Sequence, residues 1–288
     1  MVIILQLING LVLGCMYAAV ASGMTLIWGT MKILNFSHGE FYMIGGYVLY
    51  FGVTYLGLHP IFAILLSVAS VYIAGILVEK IVIRPLLAKP EWEISTLVAT
   101  VGISIFFQNI ALKLFGERYK NVPYFLEGTF DILNIRIAYQ RMFILIITTG
   151  VILGFWALLK KTKFGFGLRA TAQDMDAATL VGINTKKIYT ITFGLSCGLA
   201  AMAAALLGPI FSINPWMGNA ALLKGFIAVV LGGLGSFGGA IIAGILLGIV
   251  ESISVIIFSS EWKDIVAFCI FILVLIIKPS GLFGTKEW

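Results

Sequence analysis

Apolar residues run along this chain in long unbroken stretches, and the charged positions fall between them. No Asp, Glu, Lys or Arg occurs in residues 1–31, 41–78, 94–112 or 188–223. A helix needs about 20 apolar residues to cross a bilayer, so several of these stretches hold one crossing and the longest has room for two. A bilayer interior offers the backbone no water, and helices satisfy every backbone group within such a segment. An outer-membrane barrel would show short alternating segments instead. The pattern predicts helices over about Ile3–Trp28, Phe36–Leu56, Ile61–Ile83, Ile94–Phe115, Met142–Leu159, Ile188–Leu207 and Ile265–Ile277. Gly57-Leu58-His59-Pro60 turns the chain after the second, and Arg84-Pro85 is expected to stop the third. From Leu222 to Val250 a glycine run, Gly232, Gly233, Gly235, Gly238 and Gly239, divides an apolar stretch into two pieces. The expected fold is an all-α, polytopic integral membrane bundle of eight or nine spans. It forms one transmembrane domain over residues 1–288, with a re-entrant or broken-helix segment near 219–259.

Composition strengthens this picture. Hydrophobic residues make up 60% of 288 and charged residues only 11%, with a mean hydropathy of +1.07. A soluble domain carries about a quarter of its residues as charges, so much of this surface must face lipid. The net charge of +6 gathers between spans. Lys160, Lys161, Lys163, Arg169, Lys186 and Lys187 stand against only Asp174 and Asp176. By the positive-inside rule the 160–187 loop is cytoplasmic. Counting crossings back, the Arg84 loop is cytoplasmic too and the polar segment 116–141 is extracytoplasmic. The charge therefore reads as topology and not as nucleic-acid binding. The first basic residue is Lys32, so the first run lacks the n-region of a cleaved signal and is expected to stay as a resident helix. Cys15, Cys197 and Cys269 lie in apolar runs without CxxC spacing, which points away from a disulfide framework or metal site. Small residues recur four apart at Gly10 and Gly14, Gly194 and Gly198, Gly235 and Gly239, and Gly244 and Gly248. Such strips let helix backbones approach closely, within the bundle or in a dimer contact.

Polar groups inside apolar runs are costly and therefore informative. The densest set is Asn35-Phe36-Ser37-His38-Gly39-Glu40. It reads either as an interfacial turn, with Asn35 or Ser37 capping the next helix, or as a polar element lining or bracing a translocation path. Gln108 and Asn109 sit well inside the fourth span, where amides usually bond across to a neighbouring helix or meet substrate. Glu251 is a lone acid near a helix end, read as a snorkelling surface residue or a buried anchor. The chain has no HExxH and no GxxxxGK[ST], so neither a zinc protease helix nor a Walker loop is present. The glycine run has no Lys-Ser/Thr after it and no strand before it. It reads as a bend or half-span shielded by protein. In the basic loop, Asp176-Ala177-Ala178-Thr179-Leu180-Val181-Gly182 predicts a short helix with an acid in its first turn and glycine past its end. Such a helix can rest on headgroups or serve a cytoplasmic partner as a handle.

These residues are similar to a known family. The acidic-Ala-Ala-x-x-x-Gly pattern of Asp176, Ala177, Ala178 and Gly182 resembles the loop by which permeases of bacterial ABC importers dock on their ATPases, without the usual Leu-Pro further on. The stretch from Asn35 to Tyr47 resembles the hallmark of Liv-type permeases of branched-chain amino acid ABC transporters. Arg169–Asp174 with Val181–Asn184, Val229–Ser236 and Lys278–Gly284 fit the same family. The resemblance implies a second permease subunit, usually non-identical, two cytoplasmic ATPase subunits and an extracytoplasmic substrate-binding protein. It implies that ATP and Mg are held by the ATPases, that this chain has no catalytic residue, cofactor or metal, and that it lies in a bacterial or archaeal cytoplasmic membrane. ATPase coupling would fall to Asp176, Ala177, Ala178 and Gly182. The path would involve Asn35, Ser37, His38, Glu40, Gln108 and Asn109. The five glycines and Glu251 would act as structural or hinge positions. Related permeases carry urea, short amides or other amino acids; a standalone secondary transporter and a membrane enzyme are the more distant readings.

Overall fold

The computed structural model describes residues 2–132 and 135–284. Six helices among them are long and apolar enough to cross a membrane. They are α1 (Val2–Met31), the continuous helix Pro60–Leu87, α5 (Trp92–Phe115), α6 (Tyr139–Lys161), α9 (Thr185–Leu207) and α11 (Phe237–Ile257). Three apolar helices are shorter: α2 (His38–Thr54), α10 (Met217–Gly232) and α12 (Lys263–Ile277), of 17, 16 and 15 residues. The expectation of eight or nine spans counted these three as crossings. By length and composition only six meet the measure. At 1.5 Å per residue, α10 and α12 rise about 22–24 Å, short of a ~30 Å hydrocarbon core.

The third helix departs from expectation. Arg84-Pro85 does not stop it: α3 (Pro60–Val78) passes through a π turn at Glu79–Ile83 into α4 (Arg84–Leu87). Pro85 follows directly on the π turn inside this continuous helix, where it donates no backbone hydrogen bond, and the helix goes on only as far as Leu87. The wider turn carries the Arg84 N–H to the Glu79 carbonyl.

Packing places α9 at the centre and α5 at the edge. Of their apolar windows, 78% and 11% respectively are buried inside the chain. The main core joins side chains of α1, α2, α9, α10 and α11, among them Val20, Phe41, Phe193, Ala228 and Ala243. The four-residue glycine strips bind the bundle from within. A Cβ on Gly14 would lie 2.8 Å from the Ile245 Cα, and one on Gly244 would lie 2.7 Å from the Ala18 Cα. The α1 and α11 strips thus face each other, backbone to backbone. A Cβ on Gly194 would come within 2.9 Å of the Tyr72 ring, so the α9 strip faces α3.

The all-α expectation has one local exception. Within the polar 116–141 segment, β1 (Thr129–Ile132) pairs antiparallel with β2 (Ile135–Ala138), Phe130 opposite Ile137. Lys120 and Ile213 exchange both backbone hydrogen bonds at 2.8 Å, which ties this segment to the α9–α10 connection. Arg141 bonds Asn9 near the start of α1. The ends of α1 and α6, the α10–α11 turn and the residues after α12 meet at the opposite, basic end of the bundle.

Candidate functional site

The turn Asn35–Glu40 lies deep in the bundle. The Phe36 N–H donates to Thr100 Oγ1 at 3.3 Å, and Ser104, midway along α5, donates to Glu40 Oε1 at 3.0 Å. On the other side, a Cβ placed on Gly23 would meet the Ser196 carbonyl oxygen at 2.8 Å and His38 Cε1 at 2.9 Å. Ser196 sits midway along α9. The chain leaves α1 at the basic end, runs back into the protein and starts α2 at mid-depth. An interfacial turn does not describe this position. Neither expected cap forms: Ser37 occupies the N-cap without a side-chain cap bond. Asn35 Oδ1 instead accepts from the Ser37 N–H at 3.1 Å and the Ser37 hydroxyl at 2.6 Å, an Asx turn.

The turn carries unused polar capacity. Ser37, His38 and Glu40 are at most 1% exposed. Yet Asn35 Nδ2 and Glu40 Oε2 are buried without a hydrogen-bond partner among the described residues, and the buried His38 ring has the Val20 backbone beside it but no well-formed hydrogen bond. Gln108 Nε2, one turn beyond Ser104, is in the same state. Each such group costs about 1–3 kcal/mol when dry, so their concentration within a few residues marks a place built for something other than stability. Asn109 is separate from this set: it is exposed and donates to the Ile105 carbonyl of its own helix at 2.7 Å. The amide bonds across to a neighbouring helix, expected from sequence, are formed by neither residue's side-chain nitrogen.

Glu251 is neither lone nor at the surface. It is 1% exposed, pairs with Lys224 from the middle of α10, and accepts from the Tyr17 hydroxyl at 2.6 Å. Lys224 also reaches Asp264 at 2.8 Å, where α12 begins. One network thereby joins α1, α10, α11 and α12. A second pair, with Glu79 buried and Arg84 about one third exposed, holds the π turn: Arg84 donates to Glu79 at 3.0 and 2.7 Å and also to the Thr190 hydroxyl of α9. Lys224, Asp264 and Glu79 are absent from the sequence reading, and Arg84 enters it as a helix stop and a loop charge, not as the partner of Glu79. The signal available is the rule that a charge inside an apolar helix needs a partner; Arg84 is within reach of Glu79 five residues before it, but nothing local names partners for Lys224 that lie 27 and 40 residues away.

In the basic loop, α7 (Lys163–Gln173) is followed by α8 (Met175–Leu180), the short helix expected around Asp176. Its N-cap is Asp174, whose side chain accepts from the Ala177 N–H at 2.9 Å. Gly182, at φ +88°, and Ile183 return hydrogen bonds to the Thr179 and Ala178 carbonyls, both 3.0 Å, completing a Schellman stop. Ala178 faces inward, while Leu180 and Val181 stand 88% and 77% exposed. The glycine run forms the α10–α11 turn. Gly233 and Gly235 take φ of +97° and +84°, and Gly232 packs against the Gly239–Ala240 backbone. Leu282 and Phe283 then donate to the Leu231 and Gly232 carbonyls at 2.7 and 3.2 Å, capping α10.

Comparison with known proteins accords with these features. Residues 6–275 match the family described as branched-chain amino acid transport system / permease component. BraD of Pseudomonas aeruginosa, a high-affinity branched-chain amino acid transport system permease protein, is 36% identical over 98% of this chain and 96% of its own. LivH of Escherichia coli, of the same description, is 35% identical over the same shares. A probable branched-chain amino acid transport permease, LivH of Methanocaldococcus jannaschii, is 27% identical over 93% of this chain and 88% of its own. No solved structure matches the chain. With its polar turn buried at mid-bundle and its family match running nearly end to end, the chain belongs to the permease family of branched-chain amino acid transport systems.

Proposed function

We propose that this chain is one membrane-spanning half of an ATP-driven importer that carries branched-chain amino acids across a bacterial or archaeal cytoplasmic membrane. The observation that carries this reading is the turn Asn35–Glu40. It offers unpartnered polar atoms at the depth of the bundle's middle, in a chain whose relatives are named as branched-chain amino acid permeases. A branched-chain amino acid brings an ammonium and a carboxylate through an otherwise apolar region, and these need polar partners on the way. Asn35, Ser37, His38, Glu40 and Gln108 supply such groups, and Ser104 and Thr100 position them. Asn109, on the exposed face, is left to the contact with lipid or a second permease. The basic end faces the cytoplasm. There two ATPase subunits, which hold ATP and Mg, engage α8 through Leu180 and Val181, with Asp176, Ala177, Ala178 and Gly182 keeping the helix in shape. A substrate-binding protein delivers its cargo at the opposite end. ATP shifts the path between two states only as far as it favours one of them.

The test uses the chain assembled with its ATPase pair and binding protein in proteoliposomes. Leu180→Asp places a charge where an apolar contact is proposed. Substrate-stimulated ATP hydrolysis is expected to fall at least tenfold while the permease still inserts and purifies. Stimulation at the unsubstituted level would overturn the coupling role. Gly182 is the weaker probe, since the space around it is open and only its backbone conformation resists a side chain.

A further inference from the structure

A cavity of about 770 Å³ opens at the basic end of the bundle. Its walls come from the end of α1 with Lys32, the end of α6 with Lys160, α7 with Arg169, and the first turn of α11 backed by residues 279–284. The lining holds these three cations and no acidic side chain. None of the three, all of them exposed, forms a salt bridge among the described residues, whereas the buried Glu79, Lys224 and Glu251 each have an opposite charge beside them. Lys160 sits 4.6 Å over the Trp156 ring, and Arg169 turns one nitrogen to the Leu159 carbonyl. Three uncompensated positive groups around one cavity attract an anion. The dipole of α11, which begins at the wall with Phe237, adds to that field.

The rest of the lining says which anion. Leu26, Leu234, Phe237 and Phe283 make part of the wall apolar. Trp28 and Trp156 also line it, and paired tryptophans at helix ends mark the level of lipid headgroups. Basic pockets between transmembrane helices at this level take anionic headgroups. A free phosphate would leave most of the volume and the whole apolar side unused. We infer that this cavity binds an anionic phospholipid, its phosphate between Lys32, Lys160 and Arg169 and the start of an acyl chain against Leu234 and Phe283. The site is separate from the mid-bundle turn and does not depend on the ATP-driven reading; it requires only that the chain sits in a bilayer. A lipid held here touches α1, α6, α7 and the α10–α11 turn together, so it braces the basic end.

The experiment reconstitutes the full-length chain in phosphatidylcholine vesicles and measures the association of spin-labelled phosphatidylglycerol against spin-labelled phosphatidylcholine. The unsubstituted chain is expected to favour phosphatidylglycerol by roughly tenfold, in keeping with one or two of the three cations acting at full strength on a headgroup. The pair Lys32→Gln and Lys160→Gln is expected to bring the ratio close to one. The pair Lys161→Gln and Lys163→Gln, which removes the same charge from equally exposed positions that do not line the cavity, is expected to leave it. No preference in the unsubstituted chain, or equal loss in both double variants, would overturn the site. Displacement of the labelled lipid by millimolar glycerol phosphate would identify a soluble phosphate ligand instead. Loss of the preference on adding the ATPase pair would identify the cavity as a protein contact, and each of these also overturns the lipid proposal.

Discussion

Gly39 and Gly218 hold the turn at the start of α2 against α10, and no other residue type fits there. A Cβ on Gly39 would lie 2.8 Å from the Gly218 carbonyl carbon, and one on Gly218 would lie 2.5 Å from the Gly39 oxygen. Both obstacles are backbone, which cannot swing aside. Gly39→Ala is therefore expected to destabilise the protein by about 1–3 kcal/mol, the usual cost of overpacking. Gly102→Ala on α5 meets nothing within 4 Å and serves as the neutral comparison. Thermal unfolding of the two variants in detergent, followed by tryptophan fluorescence, checks this; equal midpoints would refute it. At this scale the sequence shows residue type and not depth. Asn35-Phe36-Ser37-His38 has the composition of any turn, and an Asx turn is indeed what it forms. That the turn sits beside Ser104 and Ser196 depends on three other helices, and no local pattern carries that.

Among the elements, the charges decide how helices are joined. Glu251 of α11 is almost fully enclosed, so its stability depends on Lys224 of α10 and on the Tyr17 hydroxyl of α1. Removing one member of such a pair leaves an uncompensated buried charge, at a cost of about 3–5 kcal/mol. Lys224→Met is expected to show that loss as a lower yield of folded protein and faster proteolysis, and adding Glu251→Gln is expected to restore most of it. A single variant as stable as the parent would show that the pair holds nothing together. Asp264 is more than half exposed and contributes less. The helices themselves were largely legible, because an apolar run bounded by charges leaves the backbone little choice. The errors have physical sources. Pro85 reads as a stop because a π turn leaves no trace in hydropathy. The pairing of β1 with β2 lies in a segment that reads only as polar. Glu251 read as lone because its partner is a lysine that ends an uncharged stretch of 36 residues, 188–223.

For the whole molecule, the two ends are distinct without reference to any membrane. Lys32, the 160–187 loop and residues 279–284 gather at one end, and the 116–138 segment joins the α9–α10 connection at the other. With the basic end in the cytoplasm, Glu127→Cys is expected to react with a membrane-impermeant maleimide added to intact spheroplasts. Lys161→Cys is expected to react only after permeabilisation; the reverse pattern would invert the protein. The Gly10–Gly14 strip of α1 finds its partner in Gly244–Ile249 of α11, and Tyr17 meets Glu251 across 234 residues of chain. Synthesis at about 5–20 residues per second separates the two by roughly 12–47 seconds. For that interval the first helix waits in the bilayer with its glycine face uncovered. Assembly of this bundle is therefore ordered by time as well as by affinity. A ribosome that stalls before α11 leaves a helix that is inserted but unmatched, the kind of intermediate that membrane quality control exists to remove.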